Sequence, residues 1–335
     1  MSNHEAINEA ILEIKDLSVA YGTAKGDVLA VQDMNLRVLP NEIMGLIGES
    51  GSGKSTLAYA VMRLLKGSAR VVKGSVRILG KDIYAMDKEE LRQFRWANIS
   101  MVFQSAMNAL NPVLTVETQI VDTILNHRPQ LSRREAREKA HELADLVRID
   151  RSRITSYPHE LSGGMRQRIV IAIAISLEPS LVIMDEPTTA LDVVVQRSIL
   201  DQIKEIQQRV QFSVLFISHD FSLVSHLASR IAIMYAGRVV EVTEARSLMD
   251  AKVAHHPYTE GLWRAIPKLT AKSVALEGIV GTPPDLLHPP SGCAFHPRCR
   301  YTFEPCRTVR PQLQDVEGSE IACHRFVPEG IQHGQ

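Results

Sequence analysis

The nine residues from Gly48 to Thr56 constrain the fold more than any other segment of this chain. They match the pattern G-x-x-x-x-G-K-[ST], in which a glycine-rich turn connects a strand to a helix. A strand-like run, Glu42 to Ile47, precedes the turn, and the apolar spacing becomes helical from Lys54 to Leu65. Such a turn points backbone N–H groups and a helix N-terminus at an anion. The segment predicts an α/β fold with a phosphate site whose candidate residues are Gly48, Ser50, Gly51, Gly53, Lys54, Ser55 and Thr56.

A second segment, which is acidic, supplies groups that phosphoryl transfer requires. In a site of this kind we expect Lys54 to contact the β and γ phosphates and Ser55 to hold Mg²⁺. The apolar run Leu181 to Met184 ends in two adjacent carboxylates, Asp185 and Glu186. We expect Asp185 to orient Mg²⁺, directly or through water. Glu186 points in a different direction, so it is the candidate general base for an attacking water.

A third motif begins a helix between these two segments. Ser162, Gly163 and Gly164 precede Met165 and the apolar stretch Ile169 to Ile175. Ser162 is expected to be the N-cap of that helix. By itself a Ser-Gly-Gly helix start is common and mostly structural, so its significance depends on the two motifs around it.

The rest of the chain divides into strands, a helical insert and a loop-rich end. Ile11 to Val19 is a predicted strand, and residues from about 106 to 160 form a helical insert with a capping-box pattern at Ser132 and Glu135. Strand and crossover-helix patterns resume in the segments Leu181 to Met184, Gln196 to Val210 and Ser213 to Ile217. Beyond residue 240 prolines become frequent and periodicity fades. We therefore predict a separate, loop-rich end to the chain.

The order of these motifs resembles the ATP-binding-cassette family. The phosphate loop, the Leu161-Ser162-Gly163-Gly164 segment and the Asp-Glu strand follow one another as in that family, and the resemblance covers about residues 10 to 245. It implies a nucleotide-binding domain over residues 10–245, built from a RecA-like P-loop core, an antiparallel β subdomain and a helical subdomain, and it implies ATP and Mg²⁺ as cofactors. Residues 246–335 form the C-terminal extension.

The resemblance also implies roles for individual residues. Tyr21 would stack on adenine, Gln104 would link Mg²⁺ to the helical insert, and His219 would hydrogen-bond the γ phosphate. Asp192 resembles a loop residue that contacts a partner subunit. The phosphate held by one subunit would be bound from the opposite subunit by Ser162, Gly163 and Gly164.

The signature motif, Leu161 to Met165, departs from the commonest family pattern at one residue. Met165 stands where glutamine is most frequent, but the phosphate-binding serine and glycines are retained. Glu186 and His219 are present as well, so we expect an active ATPase. An ATP-sensing module without turnover is a weaker alternative, because a sensor has no need of a general base.

The C-terminal extension resembles that of ATPases serving bacterial dipeptide, oligopeptide and nickel importers. The matching stretches are His256-Pro257-Tyr258-Thr259, Gly281 to Leu286, Gly292 to Phe295 and Arg298-Cys299. The resemblance is to the first of the two ATPases that such systems carry. It implies a second ATPase as heterodimer partner, two membrane-spanning permeases and an extracytoplasmic solute-binding protein.

Composition and charge limit the location and the partners. Lysine plus arginine total 38 and aspartate plus glutamate total 38, so no net field favours nucleic acid. The polar start Met1 to Ala10 lacks the features of a secretory signal, and the longest apolar run, Ile169 to Ile175, is far shorter than the ~20 residues that cross a bilayer. We therefore expect a peripheral protein at the cytoplasmic face of the inner (plasma) membrane. A cassette protein acting on ribosomes or DNA is the alternative, which the single phosphate loop disfavours.

Four cysteines lie together in the extension, at Cys293, Cys299, Cys306 and Cys323. Structural disulfides are rare in a reducing compartment, and the zinc-knuckle spacing C-x₂₋₄-C is missing. From the residues alone an iron–sulfur cluster, zinc and free thiols all stay open. The resemblance to importer ATPases, some of which carry a cluster at the matching positions, favours a [4Fe–4S] cluster, with His296 and His324 as bystanders.

Overall fold

The computed structural model describes residues 9–104, 109–189, 191–250, 252–265 and 278–327. Two predicted features lie partly outside these ranges. The first residues of the insert, 106 to 108, are outside them, and so are residues 251, 266–277 and 328–335 of the C-terminal extension.

The large sheet of the described residues contains eight strands in the order β11-β12-β10-β9-β3-β8-β7-β6. The strands β9, β3, β8, β7 and β6 run parallel, and β10, β12 and β11 extend the sheet in antiparallel pairing. Their bounds are β3 Ile43–Ile47, β6 Ile99–Val102, β7 Leu181–Asp185, β8 Ser213–Ser218, β9 Arg230–Tyr235, β10 Arg238–Glu244, β11 Gln314–Val316 and β12 Ser319–Ile321. The predicted strands at Glu42 to Ile47, Leu181 to Met184 and Ser213 to Ile217 are confirmed.

Both faces of the parallel strands are buried, which explains why their sequences are continuous apolar runs rather than alternating ones. Within β3, Ile43 and Ile47 belong to one hydrophobic core, whereas Met44 and Leu46 belong to the other. Successive side chains of a strand point to opposite faces, so each strand contributes to two cores. The sheet is therefore a central layer between two packed layers.

The layer on one face includes a four-stranded antiparallel sheet in the order β2-β1-β4-β5. Its strands are β1 Leu12–Thr23, β2 Gly26–Val38, β4 Ala69–Ile78 and β5 Lys81–Asp82. The sheet contributes Leu12, Val31 and Val76 to the core that also contains Met44. The predicted strand Ile11 to Val19 is confirmed as part of β1, whereas most of β2 and all of β4 were missed from sequence.

Helices α1 and α2 accompany this antiparallel sheet, and the helices of the insert pack on the other face with α5, α6 and α7. The helices are α1 Lys54–Val61, α2 Lys88–Ala97, α3 Val116–His127, α4 Arg133–Leu146, α5 Gly163–Ile175, α6 Val193–Val210, α7 Phe221–Leu227, α8 Pro257–Arg264 and α9 Glu304–Thr308. Ser132 and Glu135 form the predicted capping box of α4, and Ala136, Ala140 and Ala144 are buried on one face of it. The helical nature of the insert over α3 and α4 is confirmed.

The C-terminal extension is mostly loop, but it is joined to the large sheet. Strand β12 pairs with β10, with Glu241 opposite Ile321, and β11 continues the edge. Helix α8 begins after the N-cap His256 and presents Tyr258, which is fully buried against Tyr235 and Phe295. Strand pairing and an aromatic cluster thus fix the extension to the body of the protein.

None of the helices in the described ranges combines the length and the apolar character required to cross a membrane.

The close approach of β3 to α7 leads to a stability prediction. A Cβ atom on Gly45 would lie 2.2 Å from Val224 Cγ1, 3.2 Å from Ala228 Cβ and 3.3 Å from Ile231 Cγ1. Gly45→Ala should therefore lower the free energy of unfolding by about 1–3 kcal/mol, the usual cost of overpacking a core. Gly278→Ala is the matched control, because a Cβ there meets nothing within 4 Å. Thermal melting of both variants checks this, and equal melting temperatures would refute the packing argument.

Candidate active site at the strand ends

The carboxyl ends of four neighbouring parallel strands bring the predicted site residues together. Strands β3, β8, β7 and β6 are adjacent in the sheet. The phosphate loop follows β3, His219 follows β8, Asp185 and Glu186 stand at the end of β7, and Gln104 follows β6. In open α/β sheets, ligands bind in the crevice outside this edge. The arrangement therefore forms one candidate active site.

The glycine-rich turn between β3 and α1 can be formed only with glycine at its last position. Gly53 is the N-cap of α1 and has a φ of 101°. A Cβ atom at Gly53 would lie 2.1 Å from the Ala30 carbonyl oxygen. Ser50 and Gly51 form the exposed tip of the turn. The turn thus leaves the N-terminus of α1 free of side-chain caps and open to an anion.

Lys54 is buried beneath this turn and is held by the turn itself. Its Nζ donates to the Gly48 carbonyl at 2.7 Å, to the Glu49 carbonyl at 2.9 Å and to Ser52 Oγ at 3.4 Å. Burial lowers the pKa of Lys54, and the charges of Glu186 and Asp185 oppose that shift. The two carbonyls therefore hold the ammonium group against the turn.

Asp185 and Ser55 form the part of the site that fits a cation. Ser55 Oγ donates to Asp185 Oδ1 at 3.2 Å. The second carboxylate oxygen, Oδ2, is buried and has no hydrogen-bond partner within the described part of the chain. Burial raises the pKa of Asp185, and the neighbouring Glu186 charge adds to the increase. An unpartnered buried carboxylate oxygen beside a serine hydroxyl is suited to an oxygen-preferring ion such as Mg²⁺.

Glu186 connects three residues around its carboxylate. Oε1 lies 3.0 Å from His219 Nδ1, and Oε2 accepts from Gln104 Nε2 at 3.1 Å and from Thr189 Oγ1 at 3.1 Å. Its backbone has a φ of 46°, a left-handed conformation that is uncommon for residues other than glycine. Gln104 and His219 are both exposed, so the group borders solvent. The structure brings Gln104, Glu186 and His219 together, and it adds Thr189, which sequence reasoning missed.

Tyr21 lies on the antiparallel sheet beside the first turn of α1. Its phenolic oxygen is 3.1 Å from Thr56 Oγ1, and the ring is half-buried. The contact places an aromatic ring next to the helix that follows the phosphate loop. It joins Tyr21 and Thr56, two predicted site residues that are 35 positions apart in the sequence.

The Ser162 motif forms a second helix start, separate from the phosphate loop. Ser162 is the predicted N-cap of α5 and accepts from the Met165 N–H at 3.3 Å. Gly163 and Gly164 begin the helix, and no hydrogen bond within the described ranges connects the three residues to residues 48–56. A Cβ atom on Gly164 would lie 2.9 Å from Val195 Cγ1.

Helix α6 starts close to this motif and carries an exposed apolar pair. Asp192 is its N-cap and accepts from the Val195 N–H at 2.9 Å. Val193 and Val194 are 75% and 79% exposed. The signature motif and the predicted partner-contacting residue Asp192 therefore share one surface region.

Two residues of the C-terminal extension reach the phosphate loop, which the sequence analysis did not foresee. Arg298 binds the Glu49 carboxylate, and the hydroxyl of Tyr258 accepts from the Glu49 N–H. Tyr258 and Arg298 lie in stretches whose sequence resembles importer ATPases, but the resemblance gave neither residue a role. No local pattern indicated a contact with a loop more than 200 residues earlier.

The four predicted cluster ligands converge but do not form a metal site in this structure. Cys293 N donates to the Cys306 carbonyl at 2.9 Å. All four thiols are free. Burial, with smaller contributions from the charges of the other three cysteines, raises the pKa of Cys323 to about 12. No group of three or more potential ligands in the described residues is arranged to hold a metal ion.

Family models match two parts of the chain. The model described as "ABC transporter" matches residues 31–189, and the model described as "Oligopeptide/dipeptide transporter, C-terminal region" matches residues 240–306.

Curated relatives match over nearly the whole length. The oligopeptide transport ATP-binding protein of Escherichia coli (strain K12) is 40% identical, over 96% of this chain and 95% of that protein. A putative peptide import ATP-binding protein of Brucella abortus (strain 2308) is 45% identical, over 95% of this chain and 96% of that protein. The dipeptide transport ATP-binding protein of Bacillus subtilis (strain 168) is 42% identical, over 90% of each.

Solved structures of ATP-binding cassettes are similar to this chain as well. A dimeric ATP-binding cassette in a post-hydrolysis state bound to ADP and phosphate has a TM-score of 0.62 and is 28% identical, covering 70% of this chain and 99% of that chain. A component of an ABC transporter complex from Clostridium perfringens has a TM-score of 0.64 and is 25% identical, covering 73% and 92%. This chain therefore belongs to the ATP-binding-cassette transporter family, as an ATPase that also carries the C-terminal region of oligopeptide and dipeptide transporters.

Proposed function

We propose that this ATPase drives the import of peptides or related solutes through a bacterial membrane transporter. The observation that carries the proposal is the group formed by Gln104, Glu186 and His219 beside the Ser55 and Asp185 pair. A general base, a cation site and an anion-binding loop lie at one sheet edge. The relatives described as oligopeptide, dipeptide and peptide import ATP-binding proteins support peptides as the transported class.

The reaction assigned to this site is hydrolysis of the terminal phosphate of ATP. Glu186 takes a proton from the attacking water as the water oxygen bonds to the γ phosphorus, and the bond from that phosphorus to the bridging oxygen breaks, giving ADP and phosphate. His219 hydrogen-bonds the γ phosphate, and Lys54 contacts the β and γ phosphates. Ser55, Asp185 and Gln104 would hold Mg²⁺, which neutralises charge on the transferred group when bound.

Binding of the adenine and of the phosphates of ATP is assigned to residues in and around the phosphate loop. Tyr21 stacks on adenine, and the turn residues Gly48, Ser50, Gly51 and Gly53 offer backbone N–H groups to the phosphates. The hydroxyl of Thr56, which contacts Tyr21, connects these two parts of the site. In this proposal residues 10–245 form the nucleotide-binding domain and residues 246–335 the extension.

The active form in this proposal is a dimer of cassettes. Ser162, Gly163 and Gly164 of one cassette bind the γ phosphate held by the loop of the other, which accounts for a second helix start with glycines and no link to the loop of its own chain. The partner is a second, related ATPase. Asp192 and the exposed Val193 and Val194 lie at the junction, where apolar side chains would be covered.

The remaining partners are two permeases and an extracytoplasmic solute-binding protein, with the ATPase at the cytoplasmic face of the inner membrane. A cassette acting on ribosomes or DNA, or an ATP sensor without turnover, receives no support from the curated relatives, which are transport ATP-binding proteins. Measurement of ATP-dependent uptake of labelled peptides into vesicles carrying the assembled transporter tests the proposal. Uptake of no peptide, alongside uptake of a sugar or a metal, would refute the peptide class.

Glu186→Gln tests the assigned base. Glutamine can still hydrogen-bond Gln104 and Thr189, but it cannot accept a proton, so we expect ATP binding to persist and turnover to fall by at least ~10². Glu138→Gln is the control, because Glu138 is an exposed helix residue paired only with Arg134 in the described structure. Parental hydrolysis by Glu186→Gln in the assembled transporter would show that another group is the base.

The helical insert is assigned to docking on the permeases. Gln104 joins the catalytic group directly to the chain that enters the insert, and Val113, shortly before α3, is 74% exposed. Val113→Asp should reduce transport several-fold more than it reduces ATP hydrolysis, because a buried interfacial charge without a partner is unfavourable. Val72→Asp is the matched control on β4, where Val72 is 53% exposed. Equal loss of transport and hydrolysis in folded Val113→Asp would contradict docking.

A [4Fe–4S] cluster held by Cys293, Cys299, Cys306 and Cys323 is proposed as a structural element of the extension. Convergence of the four thiols supports it, whereas their present arrangement does not form a ligand set. Anaerobically purified protein should contain about four irons per chain, the content of a Cys₄ cubane. Cys306→Ser should lose the iron. Stoichiometric zinc, or neither metal, would overturn the cluster.

A further inference from the structure

The phosphate-loop residue Glu49 is held from two directions by the C-terminal extension. Arg298 Nη1 donates to Glu49 Oε2 at 2.7 Å, and Nη2 donates to Oε1 at 3.0 Å. The hydroxyl of Tyr258 accepts from the Glu49 N–H at 2.9 Å. Side chain and backbone of one loop residue are therefore both fixed by residues more than 200 positions later in the chain.

Arg298 is itself held rigidly, so it is a defined partner and not a surface charge. Its side chain is 5% exposed, against 26% for Glu49. Arg298 Nε donates to the Val280 carbonyl at 3.1 Å, and Nη1 is 3.4 Å from the Tyr235 hydroxyl. With Nε and one Nη1 N–H engaged elsewhere, the guanidinium group presents one N–H from each Nη atom to the carboxylate in a fixed fork.

Tyr258 is equally constrained. It is fully buried, and its ring packs 4.6 Å from Tyr235 and 5.4 Å from Phe295, measured between centroids. The hydroxyl thus has a fixed position from which it accepts the Glu49 N–H. That N–H is therefore directed toward Tyr258.

Glu49 connects this anchor directly to the lysine of the site. Its carbonyl accepts from Lys54 Nζ at 2.9 Å, beside the Gly48 carbonyl at 2.7 Å. A change at Arg298 or Tyr258 is thereby transmitted through a single residue to the ammonium group that meets the phosphates. No intervening chain of side chains is required.

The extension does not depend on this contact to stay attached. Strand β12 pairs with β10, the aromatic cluster around Tyr258 is buried, and Thr243 bonds Ser319 at 2.8 Å. Because attachment is provided elsewhere, an ion pair that ends on the phosphate loop has its main effect on the loop.

We infer that Arg298 and Tyr258 are positioning residues that set the affinity of the phosphate loop for ATP through Glu49. The inference rests on the proposed ATP-binding function. It gives the C-terminal extension a direct part in nucleotide binding, in addition to any structural role.

The charges of Glu49 and Arg298 determine whether loss of Arg298 raises or lowers the affinity for ATP. Within the loop Glu49 is an anion close to a polyphosphate, and Arg298 neutralises it. Without Arg298, the free carboxylate would repel the phosphates and compete for Lys54. Loss of the arginine should therefore weaken ATP binding, and subsequent removal of the Glu49 charge should restore it.

The test compares ATP affinity in the full-length parental chain and three variants of it. Arg298→Met should raise the ATP dissociation constant about tenfold, equivalent to about 1.4 kcal/mol, with a much smaller change in kcat at saturating ATP. Glu49→Gln combined with Arg298→Met should recover most of the lost affinity. A merely structural anchor predicts no recovery, because the double variant lacks the anchor as well. Glu49→Gln alone completes the cycle and, because it removes the negative charge itself, should weaken ATP binding far less than Arg298→Met does.

Arg300→Met is the matched control. Arg300 is two residues away and 49% exposed, and it pairs with Glu260 instead of with the loop, so its loss should leave ATP affinity unchanged. Tyr258→Phe removes one hydroxyl in an isosteric change, and it should weaken binding about threefold through the single lost hydrogen bond. This variant keeps the inference testable if Arg298→Met fails to fold.

Two outcomes separate the inference from the function on which it rests. If the parental chain binds ATP and the affinity is unchanged in Arg298→Met and Tyr258→Phe, the inference alone is overturned. The same holds if the variant that combines Glu49→Gln with Arg298→Met binds ATP as weakly as Arg298→Met does. Failure of the parental chain to bind ATP would overturn the proposed function together with the inference. A recovered double variant would support both.

Discussion

Burial of both faces of the parallel strands is the constraint on which the rest of this structure depends. Ile43 and Met44, which are adjacent in β3, belong to different hydrophobic cores, so no polar side chain can be placed along the middle of the strand without loss of hydrophobic burial. Polar chemistry is thereby confined to the strand ends. Asp185, Glu186, Gln104 and His219 all occur at the end of a strand or just beyond it, and these strands are neighbours in the sheet.

Several segments with this constraint could be predicted from sequence, although β6 and β9, which share it, were not. A strand buried on both sides reads as an uninterrupted apolar run, so β3, β7 and β8 were recognisable without tertiary information. Strand β2 alternates, with Met34, Leu36 and Val38 buried between more exposed residues, and most of it was missed from sequence. Strands β11 and β12 have three residues each, too few for a pattern, and they are strands because β12 pairs with β10 and β11 pairs with β12.

The candidate site divides in the same way. The glycine turn, the N-cap at Ser162 and the adjacent carboxylates are local patterns whose chemistry can be inferred from spacing. The hydrogen bond from Thr189 to Glu186 and the salt bridge between Arg298 and Glu49 arise from tertiary packing. Arg298 in particular resembles any other arginine in a loop-rich segment, since nothing in its neighbours indicates that its side chain is buried. Its partner is determined by how α8 and the aromatic cluster dock.

The position of Arg298 also connects the cysteines to the nucleotide site in physical terms. Arg298 directly precedes Cys299, and Phe295, which packs on Tyr258, lies between Cys293 and Cys299. Whatever orders the backbone of residues 293–299 therefore orders both anchors of Glu49. Coupling between two sites is reciprocal, so a ligand that binds the phosphate loop more tightly with Glu49 anchored must also stabilise the anchored form of the extension. ATP and any ligand of the cysteines would then favour the same arrangement of this segment, even though they do not touch.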